Sequence, residues 1–218
     1  MVEIRIYVEG GGDGKESKAA FREGMSKFLK RLTGQQQQIK ITCVVCGRRN
    51  AAHRNFTHDL TNYPDAINLL LVDSEGPVNT LTIDPNADPE EKDRVMGLIA
   101  RQHLINRDGW DLSGIDENDI HLMVQVMESW LIADIDTLAK HYGQKFNRKA
   151  IPRNDNVEEI STADIESALN RATQITQKGR YHKIKHGPKI LEKIDVSIVR
   201  KKAPYCDRLF RRITNIGG

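Results

Sequence analysis

The sequence predicts an α/β fold: a mainly parallel four-stranded sheet with helices on both faces, followed by an α-helical C-terminal extension. Three observations carry this. Strand-like apolar segments alternate with helix-like segments four times over, the pattern of a parallel sheet with crossover helices. The third segment, AINLLLV (Ala66–Val72), is almost wholly apolar, which suits a central strand covered on both faces. Three of the four strand-like segments end in acids, at the carboxyl ends where such sheets bind their ligands.

Val2, Ile4, Ile6 and Val8 are apolar at period two, which predicts the first strand. Glu9 ends it. Gly10, Gly11 and Gly12 then remove side-chain bulk, so that a ligand could approach the backbone closely. Asp13, with Glu16 three residues on, has the spacing of a helix capping box. The spacing of Phe21, Met25, Phe28, Leu29 and Leu32 predicts an amphipathic helix over Lys15–Leu32, ended by Gly34 and a polar loop at Gln35–Gln38.

Ile39–Val45 reads as the second strand. Arg48 and Arg49 follow it, and a polar helix over Ala51–Asn62 stops before Pro64. The third strand ends in Asp73-Ser74-Glu75-Gly76-Pro77. A loop over Val78–Ala87 leads to a helix capped by Asp88, with Pro89 at its first position and Glu91 three after the cap. Val95, Leu98, Ile99 and Leu104 are its expected inner face. Asn106–Asp119 is polar and turn-rich. Ile120–Met127 reads as the fourth strand, with Glu128 directly after it and a helix over Ser129–Tyr142.

Beyond Tyr142 the character changes. Gly143–Asn156 is polar, a linker or hairpin. Ser161 or Thr162 caps a helix running to about Gln177, Lys178–His186 is strongly basic, and helices follow over Lys189–Lys202 and Pro204–Ile213. This divides the chain into a sheet domain over 1–142 and a basic helical extension over 143–218, docked on the sheet.

Composition sets bounds. A chain of 218 residues with 39% hydrophobic and 29% charged residues is globular rather than disordered. A net charge of +3 does not by itself argue nucleic-acid binding. Three cysteines, an odd count, predict a reducing cytoplasm. Cys43 and Cys46 lie three apart in one strand and so point to opposite faces, which argues for structural thiols over joint metal ligation. No apolar run approaches the ~20 residues of a membrane span.

The glycine turn fails both phosphate-binding patterns. G-x-x-x-x-G-K-[ST] would need glycine at Glu9 and serine or threonine at Glu16, and G-x-G-x-x-G would need glycine at Lys15. The acids make the positive case. Asp73 and Glu75 project from one side of an extended strand end, and Glu9 and Glu128 end two other strands. Mg²⁺ favours such carboxylates, and one or two ions there suit phosphodiester chemistry. Solvated strand tips are the bland alternative.

Among the basic residues, Arg48 and Arg49 share the sheet edge with the acids, and Lys15 begins the first helix. These could meet phosphates. Lys178, Arg180, Lys183, Lys185 and Lys189 form a denser patch in which Tyr181 could stack on a base. An ordinary solvated basic face explains them as well. His182 and His186 lack the acid that would complete a zinc set, and Trp110 and Trp130 read as packing residues.

VEGGGD (Val8–Asp13) followed by LLVDSEG (Leu70–Gly76) resembles the Toprim core of type IA topoisomerases, bacterial primases, small recombination proteins and overcoming-lysogenization-defect nucleases. That signature is a glutamate after the first strand and D-x-D after the third. The resemblance implies that Glu9 is the general acid/base and that Asp73 is the first metal aspartate. Glu75 stands where the second aspartate is expected, so the motif is D-x-E here. HLMVQVMESWLIAD (His121–Asp134) resembles a bacterial Toprim-like family often encoded beside an ATPase in anti-phage defence loci, which implies Glu128 as a further metal-side carboxylate. The expectation is a Mg²⁺- or Mn²⁺-dependent nuclease acting on DNA or RNA with a partner ATPase, the oligomeric state being open. The alternatives are a non-catalytic adaptor that docks on an ATPase, and a metal-dependent small-molecule phosphatase.

Overall fold

The computed structural model describes residues 2–31, 39–78, 83–84 and 86–215. The expected contribution of Leu32, the stop at Gly34, the loop at Gln35–Gln38 and most of the loop at 79–85 lie outside the described residues.

Four strands, β1 (Val2–Glu9), β2 (Ile39–Gly47), β3 (Ile67–Asp73) and β4 (Ile120–Met123), form one sheet in the order β2-β1-β3-β4. Every pairing is parallel. The α/β expectation is met, and the sheet is parallel throughout. From β1 the chain steps outward to β2, then returns to the other side of β1 to lay down β3. The order therefore reverses between β1 and β3, which opens a crevice at their carboxyl ends.

The period-two pattern sorts side chains to two faces. Ile4, Ile6, Val8, Leu69 and Leu71 enter one hydrophobic cluster, and Tyr7, Leu70 and Val72 the other. α1 (Lys15–Lys30) covers the first face with Phe21, Met25, Phe28 and Leu29; α2 (Arg49–Asn62) and α3 (Pro89–Asp108) cover the second. Cys43 and Cys46 fall in opposite clusters, both buried free thiols, as their spacing requires.

Asp88 caps α3 by accepting from the Glu91 N–H at 2.8 Å, with Pro89 in the first turn. The inner face of α3 differs from expectation. Met96, Gly97, Ala100 and Leu104 are buried, whereas Leu98 is exposed and Val95 and Ile99 are only half-buried. Gly97 explains the shift: a Cβ there would meet the Arg208 guanidinium at 2.3 Å, so the close approach falls on glycine. The Asp13–Glu16 capping box does not form either. Gly14 is the N-cap of α1 with no side-chain cap, and Asp13 pairs with Arg48 at 3.0 Å on the surface.

The fourth strand is shorter than expected. It ends at Met123, and the chain then folds across the tip of β3: the Met123 and Gln125 carbonyls accept from the Ser74 and Glu75 N–H groups at 3.0 and 2.8 Å. The Val124–Gln125 peptide bond is cis. The helix expected over Ser129–Tyr142 is two, α4 (Glu128–Ala133) and α5 (Ile135–Tyr142), separated by Asp134, which caps the second.

α6 (Thr162–Thr173) is capped by Ser161. The basic stretch expected to precede a long helix instead begins α7 (Lys183–Leu191), and the turn at Glu192–Asp195 separates it from α8 (Val196–Lys202). α9 (Pro204–Asn215) closes the chain, making nine α-helices among the described residues. The C-terminal helices share the hydrophobic cluster of the sheet: Leu191, Val199, Leu209 and Phe210 are buried with Phe28, Trp130 and Leu71. Trp130 stacks on Phe28 at 5.3 Å, and Phe210 meets the same ring edge-on at 5.5 Å.

Candidate metal centre

Glu9 and Asp73 end the two strands that flank the crevice. The Asp73 N–H donates to Glu9 Oε2 at 3.1 Å, so the backbone of one strand orients the acid of the other. Glu75 lies two residues past the end of β3 with its backbone in the left-handed region, φ 59°. Its N–H bond to the Gln125 carbonyl holds that conformation, which costs an ordinary L residue ~1–2 kcal/mol. One carboxylate oxygen each of Glu9, Asp73 and Glu75 lies within 4.8 Å of the other two. A set of three hard oxygen donors, one buried, one half-buried and one exposed, can hold a metal ion.

Glu128 does not join that set. It is buried at the start of α4, where Tyr181 donates to Oε1 at 2.9 Å and Lys183 stands 3.3 Å from Oε2. Lys183 also pairs with Asp73 Oδ2 at 3.4 Å, so its ammonium bridges the two buried acids. The other Asp73 oxygen accepts from the Met127 N–H at 2.8 Å.

Burial pushes the Asp73 carboxyl up to about 7, against the pull of Lys183; the neighbouring Glu9 and Glu128 charges push the same way. Burial likewise raises Glu9, opposed first by Arg49. Burial works to lower the Lys183 ammonium, yet the Asp73 and Glu128 carboxylates outweigh it and hold it above its ordinary value.

Arg49 is the second cation of the centre. It stands 3.3 Å from Glu9 and 2.7 Å from Asp108, and it also donates to the Asp73 carbonyl. Its guanidinium lies over the Trp110 ring at 5.2 Å. His103 Nε2 donates to the Ser74 carbonyl at 2.8 Å, steadying the turn after Asp73.

The other expected residues are placed as follows. Arg48 is on the surface, paired with Asp13. Lys15 is exposed in the first turn of α1. Lys178, Arg180 and Lys185 are exposed, but Lys183 leaves their patch for the acids. Tyr181 is not a free stacking platform, since its hydroxyl is bound to Glu128. His182 caps α7, and buried His186 accepts from Tyr142 at 3.1 Å. The triglycine turn also has a different purpose from the one expected. All three glycines have positive φ, and Cβ atoms at Gly10 and Gly11 would strike Phe21 at 2.7 Å and Val45 at 2.9 Å. The clearance is filled by α1 and β2 packing, not left open to a ligand.

The roles of Asp108 and His103 were missed by sequence reasoning, as was the Lys183 bridge. A single polar residue on a helix gives no sign of a partner dozens of positions away.

Fold and site together define a parallel-sheet α/β protein with an acidic centre at the switch point of its strand order. The chain belongs to the family described as Domain of unknown function (DUF4276), which matches residues 8–214. No match was found among curated proteins or among solved structures.

Proposed function

We propose that the protein is a divalent-metal-dependent phosphodiesterase acting on DNA or RNA, with a Toprim-type centre and Mg²⁺ or Mn²⁺ as the ion. The observation that supports this most is the convergence of Glu9, Asp73 and Glu75 within 4.8 Å at the β1–β3 crevice. Their chemistry fits a hard cation: all three offer carboxylate oxygen, and the exposed Glu75 leaves one side open to solvent and substrate. When bound, the ion would supply Lewis-acid stabilisation and a more acidic water.

The chain's own groups do the rest. Arg49 fixes the Glu9 carboxylate through the Glu9–Arg49–Asp108 link and leaves one Glu9 oxygen free of that contact. Burial raises the Glu9 carboxyl above its ordinary value, the direction that suits a general acid/base. Lys183 is the cation best placed to meet a phosphate oxygen, since its side chain is half exposed while its ammonium lies between Asp73 and Glu128.

The test is cleavage of labelled single- and double-stranded DNA and RNA by the purified protein with Mg²⁺ or Mn²⁺, alone and with the ATPase encoded beside it, if there is one. Cleavage should fall at least ~100-fold in Glu9→Ala and Asp73→Ala. Absence of cleavage by the wild type under all of these conditions, or full activity in both variants, sinks the proposal.

One observation favours a second reading. Lys183 and Arg49 already compensate the acids without any ion, as a non-catalytic subunit docking on an ATPase would need. Metal titration separates the two: a metal centre raises Tm with Mn²⁺ in wild type but not in Asp73→Ala, whereas an adaptor shows no shift and co-purifies with its partner.

A further inference from the structure

A hollow of about 480 Å³, lined by none of the acids of the centre, lies against the C-terminal helices. Five lysines line it: Lys140 from α5, Lys178 from the segment after α6, Lys185 and Lys189 from α7, and Lys193 from the turn beyond. No carboxylate is among its lining residues. The charges come from separate parts of the chain and converge, so this is not one basic run lying on the surface. Mutual repulsion of ammonium groups around a shared concavity disfavours the empty state, and a concavity of one sign concentrates counter-ions.

His141 and His186 form part of the wall, and both report the field. Burial first, and then Lys178 and Lys193, bring the His141 imidazole down to about 4. Its buried Nε2 has no hydrogen-bond partner. Burial and then Lys185 lower His186. The His141 ring is therefore neutral near pH 7, His186 is pushed in the same direction, and the positive charge of the wall is that of the lysines.

Helix α7 joins this hollow to the metal centre. It carries Lys183 to Asp73 and Glu128, and Lys185 and Lys189 to the hollow. Lys185 and Lys189 are four residues apart and so ~6 Å along the axis. That is the scale of the step between neighbouring phosphates of a single strand.

We propose that the hollow binds successive phosphates of a nucleic-acid strand whose scissile linkage lies at the acidic centre. The inference rests on the phosphodiesterase reading of that centre and adds where the flanking backbone runs. It also revises the basic patch expected from sequence: Lys140 and Lys193 join Lys178, Lys185 and Lys189, while Lys183 belongs to the acids.

The experiment measures binding without chemistry. Anisotropy of a labelled single-stranded DNA of about 30 nucleotides, and of RNA of the same sequence, is followed in EDTA over a salt series. Two charge reversals, Lys185→Glu with Lys189→Glu and Lys178→Glu with Lys193→Glu, are compared with Lys149→Glu, an exposed lysine elsewhere. Each double variant should bind at least ~10-fold more weakly at low salt, and its slope of log K against log salt should be shallower by ~1.4, the loss of two phosphate contacts on a single strand. Lys149→Glu should stay within about two-fold of wild type.

Wild-type affinity and slope in both double variants would overturn the proposal, as would a wild type that binds neither strand. So would binding to phosphatidylserine vesicles, but not to nucleic acid, that the same reversals abolish. Lysine-dependent binding in EDTA with no cleavage on adding Mg²⁺ supports the hollow and counts only against catalysis, which keeps the two readings separable.

Discussion

Asp73 answers to four neighbours at once: Glu9 through its N–H, Met127 through one oxygen, Lys183 through the other, and Arg49 through its carbonyl. Such a residue has little freedom to adapt, so its ionisation decides what the centre can do. A proton held up to about pH 7 competes with a metal ion. The Tm increase given by Mn²⁺ should therefore be small at pH 6 and larger at pH 8, as differential scanning fluorimetry would show; an increase independent of pH would contradict this assignment. Lys183 competes for the same carboxylates. Lys183→Ala should strengthen Mn²⁺ binding several-fold in calorimetry while weakening cleavage, whereas loss of both would mark the lysine as a structural support. Glu9, Asp73 and Glu75 were legible from sequence because strand period and turn residues place them at strand ends. Glu128 stands outside that group, and its place in the sequence said nothing of Tyr181 and Lys183, which reach it from 53 and 55 residues away.

At the scale of elements, α1 and α7 cross where Gly24 faces Pro188. A Cβ on Gly24 would lie 2.3 Å from the Pro188 carbonyl oxygen, and backbone cannot yield as a side-chain tip can. Gly24→Ala should cost about 1–3 kcal/mol in urea unfolding; an unchanged midpoint would show that the crossing is loose. The start of α9 gives a second test. Glu158 accepts from the Tyr205 N–H at 3.0 Å, and burial pushes its carboxyl up to about 8 from 4.5. The folded protein thus keeps a proton that the unfolded chain releases. Stability from this group is whole below about pH 4.5 and declines by ~1.4 kcal/mol per pH unit until the folded group ionises near 8. Glu158→Gln should flatten that decline, read as Tm against pH. Element types were readable where period and caps agreed, as at Asp88 and Ser161. The end of β4 was not, because Val124, Val126 and Met127 are apolar for burial over the β3 tip and look like more strand.

At the scale of the whole molecule, the C-terminal helices complete the core. Arg208 on α9 is almost fully buried, and its guanidinium donates to the Asp93, Ile120 and Glu117 carbonyls, each at 2.7 Å. These bonds fasten α9 to α3 and to the entry of β4, while Phe210 packs on Phe28. A fragment of residues 1–142 would expose Phe28, Trp130 and the first face of the sheet to water. It should lack a cooperative thermal transition and bind a hydrophobic dye; a sharp transition would show that the sheet region folds alone. The sequence division at Tyr142 marks a change of composition, which need not coincide with a boundary in packing.

The Lys183–Asp73 pair spans 110 positions of chain. A ribosome adding ~5–20 residues per second needs roughly 5 to 20 seconds to cover that interval. During it, the nascent chain already carries Glu9, Asp73, Glu75 and Arg49, the partner of Glu9, but neither the Lys183 ammonium that pairs with Asp73 nor the lysine-lined hollow. A polypeptide stalled or cut short before α7 would hold the three acids without the counter-charge between Asp73 and Glu128. The ion pairs that join Asp73 and Glu128 through Lys183 therefore form only when almost all of the protein has left the exit tunnel.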